Sequence, residues 1–176
     1  MRLYRWEAAM PDPATDFREF VHAHTRDLLR AGWLLTGDWA LAEDIVQTAL
    51  LHCWPKWASI ETPEAYVRAA MANAFIAARR RRWTRERPVA LLADVVAPDA
   101  FGPVEVRTAV RSALSALSPR ERAVVVLRYY ADMSEADTAA ALGIAVGSVK
   151  RYASDALAKL RAEPALAGLL TEEVAG

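Results

Sequence analysis

The stretch Ser134–Leu160, SEADTAAALGIAVGSVKRYASDALAKL, decides how this chain folds. Ser134 and Asp137 have the spacing of a capping box, so a helix begins there. It runs to Leu142, where Gly143 supplies a left-handed stop. After a brief turn a longer helix starts near Val146 or Gly147. Val149, Ala153, Ala156, Leu157 and Leu160 share its inward face. Two helices joined this closely form a helix-turn-helix. Ser148, Lys150, Arg151 and Ser154 are left exposed near the start of the second helix, where a recognition helix meets base edges and phosphates. Asp155 departs from a generic basic reader and is expected to support Lys159 four residues on, acid first.

Upstream, Ser118-Pro119-Arg120-Glu121 combines an N-cap, a proline at the first helical position and a capping-box glutamate. Before it, Val106, Val110, Ala113, Leu114 and Leu117 recur at the helical period. Thr84 to Glu105, with Pro88, Pro98, Gly102 and Pro103, has little periodicity and reads as a linker.

The N-terminal half is also helical. Asp16 is expected as an N-cap with Glu19 three residues on, followed by a stripe of Phe17, Phe20, Val21, His24 and Leu28. Thr36-Gly37-Asp38 stops that helix and caps the next, which carries Leu41, Ile45, Val46, Ala49, Leu50 and Cys53 inward and ends near Trp54, before Pro55. A loop, WPKWASIET, leads to Thr62 and a helix with Pro63 at its first position. That helix turns Tyr66, Val67, Ala70, Met71, Ala74 and Ala78 inward. The whole predicts an all-α fold of two small helical domains, 15–84 and 104–162, joined by a flexible linker, 85–103, with a tail, 163–176, to which no role is assigned.

Charge is balanced in total, 22 bases against 22 acids, but not in distribution. Met1–Thr62 carries six bases and nine acids, whereas Pro63–Pro88 carries seven bases and two acids. Arg79, Arg80, Arg81 and Arg82 form the centre of that basic segment. Such a local patch suits nucleic acid, a membrane surface or an acidic partner, or is simply a solvated helix end. Tyr66 and Asn73 are seven residues apart and share a face. With Trp57 in the preceding loop, they supply rings that could stack bases and an amide that could read a base edge beside a cationic tail, as single-strand capture requires. From periodicity alone Tyr66 also suits a core position. Asp44 and Gln47 lie away from the apolar side of their helix, which alone reads as solvation.

One cysteine, Cys53, excludes an internal disulfide and a Cys-rich zinc site, and it reads as a small buried thiol. The i, i+2 pair His22 and His24 points to different helix faces, and the third histidine is His52, so no metal site is expected. No Ser/His/Asp set, phosphate loop or paired carboxylate cluster stands out, so neither enzyme activity nor a cofactor is expected. The first residues lack a signal-peptide core and no apolar run spans a membrane, which predicts a cytoplasmic protein without membrane insertion.

Three segments carry a family resemblance: LLTGDWALAEDIVQTAL (Leu34–Leu50), PEAYVRAAMANAFIAARRRRW (Pro63–Trp83) and Leu117–Arg161, beginning LSPRERAVVVLRYY. In this order they resemble extracytoplasmic-function (ECF) sigma factors of the sigma-70 family, especially the actinobacterial SigE-like group, over about Phe17 to Arg161. The resemblance implies a sigma region 2 bundle and a sigma region 4 helix-turn-helix. It implies docking of Asp44 and Gln47 on the β′ clamp helices of core RNA polymerase. It also implies capture of a flipped base of the promoter minus-ten element by the loop from Trp57 and the helix through Asn73, with Arg79 to Arg82 along phosphates. Ser148, Lys150, Arg151 and Ser154 would face the minus-thirty-five element. The family leaves room for an anti-sigma factor as a further partner. Four residues depart from its pattern: Ala145 where a capping serine is usual, Thr138 where an aliphatic is usual, and Tyr152 and Asp155 at positions often basic. The alternative reading is a dimeric helix-turn-helix regulator whose N-terminal bundle is a sensor.

Overall fold

The computed structural model describes residues 12–83 and 103–166, with the side chains of residues 81–83 outside the description. Among these residues the regular structure is helical, with no strand. Helix α1 (Pro13–Thr36) packs against α2 (Trp39–Cys53), and α2 against α3 (Pro63–Trp83). The second unit comprises α4 (Val104–Ser115), α5 (Pro119–Val125), α6 (Glu135–Leu142) and α7 (Val146–Arg161). The expected linker, apart from Pro103, and the end of the tail lie outside the described residues.

Local signals set most boundaries. Gly37 and Gly143 close α1 and α6 at φ 75° and 61°, in the left-handed region that glycine enters without a Cβ penalty. Asp38 accepts from the Leu41 N–H and caps α2. Ser118 accepts from the Glu121 N–H while the Glu121 carboxylate accepts from the Ser118 N–H, completing the capping box of α5. The start of α1 differs from expectation. Pro13 opens the helix and Asp12 occupies the cap position without a side-chain cap bond, so Asp16 falls in the first turn. A proline at N1 with its fixed φ sets the start one turn earlier than the carboxylate spacing suggested.

At Gly32, α1 and α2 approach each other closely. A Cβ there would stand 3.0 Å from the Ala42 Cβ and 3.1 Å from its backbone, so a larger residue would press the two helices apart by a few tenths of an ångström. Around it Leu28, Leu35, Val46, Ala49, Val67, Met71, Ala72 and Phe75 are buried.

The two units do not stand apart. Ala123, Val126, Leu127 and Met133 belong to the same buried cluster as Leu28, Val67 and Met71. They come from α5, from a π-helical turn (Val126–Tyr130) that continues it, and from the turn before α6. The wider helical turn closes with the Ala131 N–H donating to the Val126 carbonyl, five residues back. Three further bonds cross between the units. The Arg122 guanidinium donates to the Leu34 carbonyl at 2.6 Å, the Tyr130 hydroxyl to the Asp27 carbonyl at 3.5 Å, and the Asn73 amide to the Ala141 carbonyl at 2.8 Å. α5 therefore has two apolar sides: one faces its own unit through Val124, the other faces the first bundle.

Within the second unit, Lys159 at the end of α7 donates to both Glu121 oxygens, at 2.9 and 2.8 Å, and does not need Asp155 as its partner. Glu121 is nearly buried. Burial pushes its carboxyl up, but Lys159 and the bonds from Ser118 outweigh it and hold it below its ordinary value of 4.5. Thr138 is fully buried in α6 and its hydroxyl has no hydrogen-bond partner.

Candidate nucleic-acid interface

Three faces carry the residues singled out in the sequence. On the first, Tyr66 and Asn73 do share a side of α3. They line a cleft of about 910 Å³ whose near wall also holds Thr48 and His52 of α2. Its far wall is Ala131, Asp132, Met133, Ser134, Asp137, Ala140 and Ala141 of the second unit. Asn73 is exposed as a residue, yet its amide is taken by the Ala141 carbonyl. Arg79 and Arg80 continue α3 as exposed cations. The Arg79 guanidinium lies 5.7 Å from the Phe75 ring centre. Arg81 and Arg82 lie in the last turn of α3, and their side chains are outside the described residues.

Trp57 corrects the sequence reading. It lies in a 3₁₀ helix, Trp54–Ser59, not in an open loop, and is only 8% exposed. Phe17 meets it edge-on with ring centres 4.8 Å apart, and Phe20 lies at 4.9 Å. The ring fills the core between α1 and the 3₁₀ helix, so it presents no platform for a base. Three large rings bury more apolar area together than any of them would against solvent.

The second face belongs to α2. Asp44 and Gln47 are exposed, as expected. Sequence reasoning missed two neighbours: Leu51, 75% exposed, and Trp54, 44% exposed. Gln47, Leu51 and Trp54 follow Asp44 at helical spacing, so the polar pair continues into an apolar end. Gln47, Leu50, Leu51 and Trp54 line a shallow groove with Phe17 and Arg18 of α1. The spacing from Gln47 was a usable signal, since a leucine off the buried stripe is a candidate contact.

The third face is the first half of α7. Lys150, Arg151 and Ser154 are exposed and Ser148 is half-buried. Val149 and Ala156 anchor the opposite side completely. Lys150 reaches Glu135 at 3.5 Å, but both side chains are well exposed, so this pair is weak and leaves the ammonium available. Arg151 stacks at 5.1 Å from the Tyr152 ring, and a hydrogen bond from Arg120 holds the Tyr152 hydroxyl below its ordinary pKa. Ala145 gives α7 no side-chain cap, so its first N–H groups keep their capacity for a phosphate.

Arg122 lies between the first face and the body of the second unit. It is 3% exposed, its Nε is bonded to Leu34, and its Nη2 is without a partner. Burial, with the nearby charge of Arg79, lowers its pKa to about 10. Among the described residues no group of histidine, cysteine and carboxylate side chains could hold a metal ion, and no helix is long and apolar enough to cross a membrane.

Residues 20–85 match the family model for Sigma-70 region 2, and residues 107–160 match that for Sigma-70, region 4. The chain is 37% identical over 151 residues to the RNA polymerase sigma-E factor of Streptomyces coelicolor, covering 84% of this chain and 85% of that protein. It is 36% identical over 171 residues to the ECF RNA polymerase sigma factor SigL of Mycobacterium tuberculosis, covering 89% and 93%. Among solved structures it is similar to the sigma factor RpoE of Bartonella quintana, in complex there with the anti-sigma factor NepR. The TM-score is 0.67 at 26% identity, over 83% of this chain and 94% of that one.

Proposed function

Since this chain belongs to the ECF sigma factors of the sigma-70 family, and so serves core RNA polymerase in promoter-specific initiation, we propose a division of that work among its three faces. Asp44 and Gln47 dock on the β′ clamp helices, with Leu51 and Trp54 extending the contact. Tyr66 and Asn73 capture a base of the melted minus-ten strand, and Arg79 to Arg82 hold the phosphates beside it. Ser148, Lys150, Arg151 and Ser154 read the minus-thirty-five element from α7.

The observation that carries this reading is the presence, in one chain and in this order, of a region 2 bundle with exposed α2 and α3 residues and a region 4 unit with exposed α7 donors. It also sets aside the dimeric regulator, whose N-terminal sensor has no place where region 2 stands. Base capture offsets the few kcal/mol that each unstacked base costs, and the cations add sequence-independent affinity. Nothing in this work requires covalent chemistry, so the chain acts as a binding subunit in the compartment of the polymerase, the cytoplasm. An anti-sigma partner is proposed by analogy with the RpoE relative, on which NepR sits.

Run-off transcription with core polymerase and this chain on a promoter library tests the reading. Transcripts from a shared two-element motif are expected. Binding to duplex DNA without polymerase as a symmetric dimer, and no transcripts with it, would refute it.

A further inference from the structure

The outward side of α7 carries a charged residue that the three faces leave unused. Asp155 is exposed and directly follows Ser154. Ser148, Arg151 and Asp155 recur at i, i+3 and i+7, so they form one line along the helix, apart from the buried Val149 and Ala156. At about 1.5 Å per residue that line is about 10.5 Å long, or about three base-pair steps of 3.4 Å. A groove that receives Ser148 and Arg151 therefore also receives Asp155.

Two cations stand one helical turn from Asp155, and neither neutralises it. Lys159, four residues on, donates to both Glu121 oxygens at 2.9 and 2.8 Å. Arg151, four residues back, lies over the Tyr152 ring at 5.1 Å, and Arg120 bonds the Tyr152 hydroxyl. Among the described residues the Asp155 carboxylate enters no ion pair. In water the charge is simply hydrated. Inside a DNA groove it loses that water close to phosphates of its own sign, and only a donor on the DNA compensates it.

Two bases present an amino donor in the major groove, cytosine at N4 and adenine at N6. Adenine sets the acceptor N7 beside its donor, guanine presents O6 and N7, and thymine presents O4. Cytosine alone meets a carboxylate with a donor and no acceptor on its own edge. We propose that Asp155 is a specificity-determining residue that accepts from N4 of a cytosine in the minus-thirty-five element and rejects guanine and thymine at that position. The inference rests on the reading of α7 given above. Arg151 makes the opposite demand, since a guanidinium suits the acceptors of guanine. Four residues, about 6 Å, separate the two side chains, so both demands fall within about two base pairs. Part of the discrimination is repulsive, and it is obtained at the expense of affinity for DNA in general.

The test uses the chain in holoenzyme with core RNA polymerase. Duplex promoters randomised across the minus-thirty-five element are selected by binding and sequenced. The native holoenzyme is expected to prefer cytosine to guanine or thymine about tenfold at one position. Asp155→Ala is expected to level that position to within about twofold, through recovered binding of the guanine and thymine promoters, and to leave the other positions unchanged. Asp155→Asn is expected to turn the same position towards adenine, whose N6 and N7 an amide meets together. A native profile without such a position, or variant profiles identical to the native one, overturns the proposal. So does equal strengthening on every sequence, which would reduce Asp155 to a charge that repels phosphate. Lys150→Ala, measured alongside, separates this failure from that of the reading of α7. If it shifts the preference while the Asp155 variants do not, only the role of Asp155 falls. If none of the three shifts any position, α7 is not the reader and both fall.

Discussion

The two faces proposed to meet nucleic acid, on α7 and α3, are built on opposite terms. α7 presents charged and hydroxylic side chains on a helix whose back is anchored within its own unit by Val149 and Ala156. α3 presents an aromatic and an amide side chain, and its front is packed against the other unit. A charged reading face is strongly hydrated and resists cover, because burial would strand its cations. A face of alanines, a tyrosine and an amide loses little water on contact, so it is closed readily by a surface of similar kind. Base-reading chemistry on a duplex therefore stays open, whereas chemistry suited to unstacked bases invites an internal substitute for them.

The largest effect belongs to the seam. Leu127→Ala is expected to lower stability by about 2–5 kcal/mol, as for other fully buried leucines. Urea unfolding of the native chain is expected as one transition, because Leu127 shares a core with Leu28 and Met71. Two separate transitions, with the variant shifting only the second, would dissolve the contrast between a covered and an open face.

Next come the cations. Arg79→Ala with Arg80→Ala is expected to weaken promoter complexes about tenfold on every sequence and to reduce the salt slope by about 2. Lys150→Ala or Arg151→Ala is expected to alter preference at the minus-thirty-five element by about 1–3 kcal/mol per base contact. Filter binding of holoenzyme at several salt concentrations separates the two. A change of preference from the first pair, or a uniform loss from the second, would reverse the assigned roles.

Glu121→Gln probes what holds α7 in place and is expected to cost about 1–2 kcal/mol at pH 7, limited by the half-exposed Lys159. The Glu121 carboxyl titrates below its ordinary value in the folded chain. Its contribution is therefore complete above about pH 4.5 and lost as pH falls through the folded value beneath that. Thermal melts at pH 7 and below pH 4.5 should show a smaller acid loss in the variant than in the native chain. An equal acid loss would mean that the carboxylate is not the anchor of α7.

The smallest effect has the opposite sign. Thr138→Val removes a buried hydroxyl without a partner and is expected to stabilise the chain by about 1 kcal/mol. A destabilised variant on thermal melting would show that the hydroxyl finds a partner after all.

Much of this molecule is legible along the chain because its signals act over four or five residues. Ser118 and Glu121, Gly37 and Asp38, Ser134 and Gly143 each satisfy or end a helix by bonds to their immediate neighbours, and all stand where the sequence places them. The exposed sides of α2 and α7 follow from the helical period in the same way. Errors begin where a side chain chooses among distant partners. Trp57 looks available in sequence, but α1 brings Phe17 and Phe20 onto it. Lys159 has Asp155 one turn away, yet Glu121, 38 residues back, offers two oxygens in a nearly buried position.

The sequence by itself determined the long helices, most of their ends and the order of the two units, since caps, glycine stops and apolar stripes are local chemistry. Only the tertiary structure decided that the units close on each other, that Arg122 bridges them, and that Asn73 meets a carbonyl of α6. Those outcomes depend on which apolar faces remain unburied after each unit has formed, and on which of them come within reach. That is a property of packed surfaces, and no window of neighbouring residues contains it.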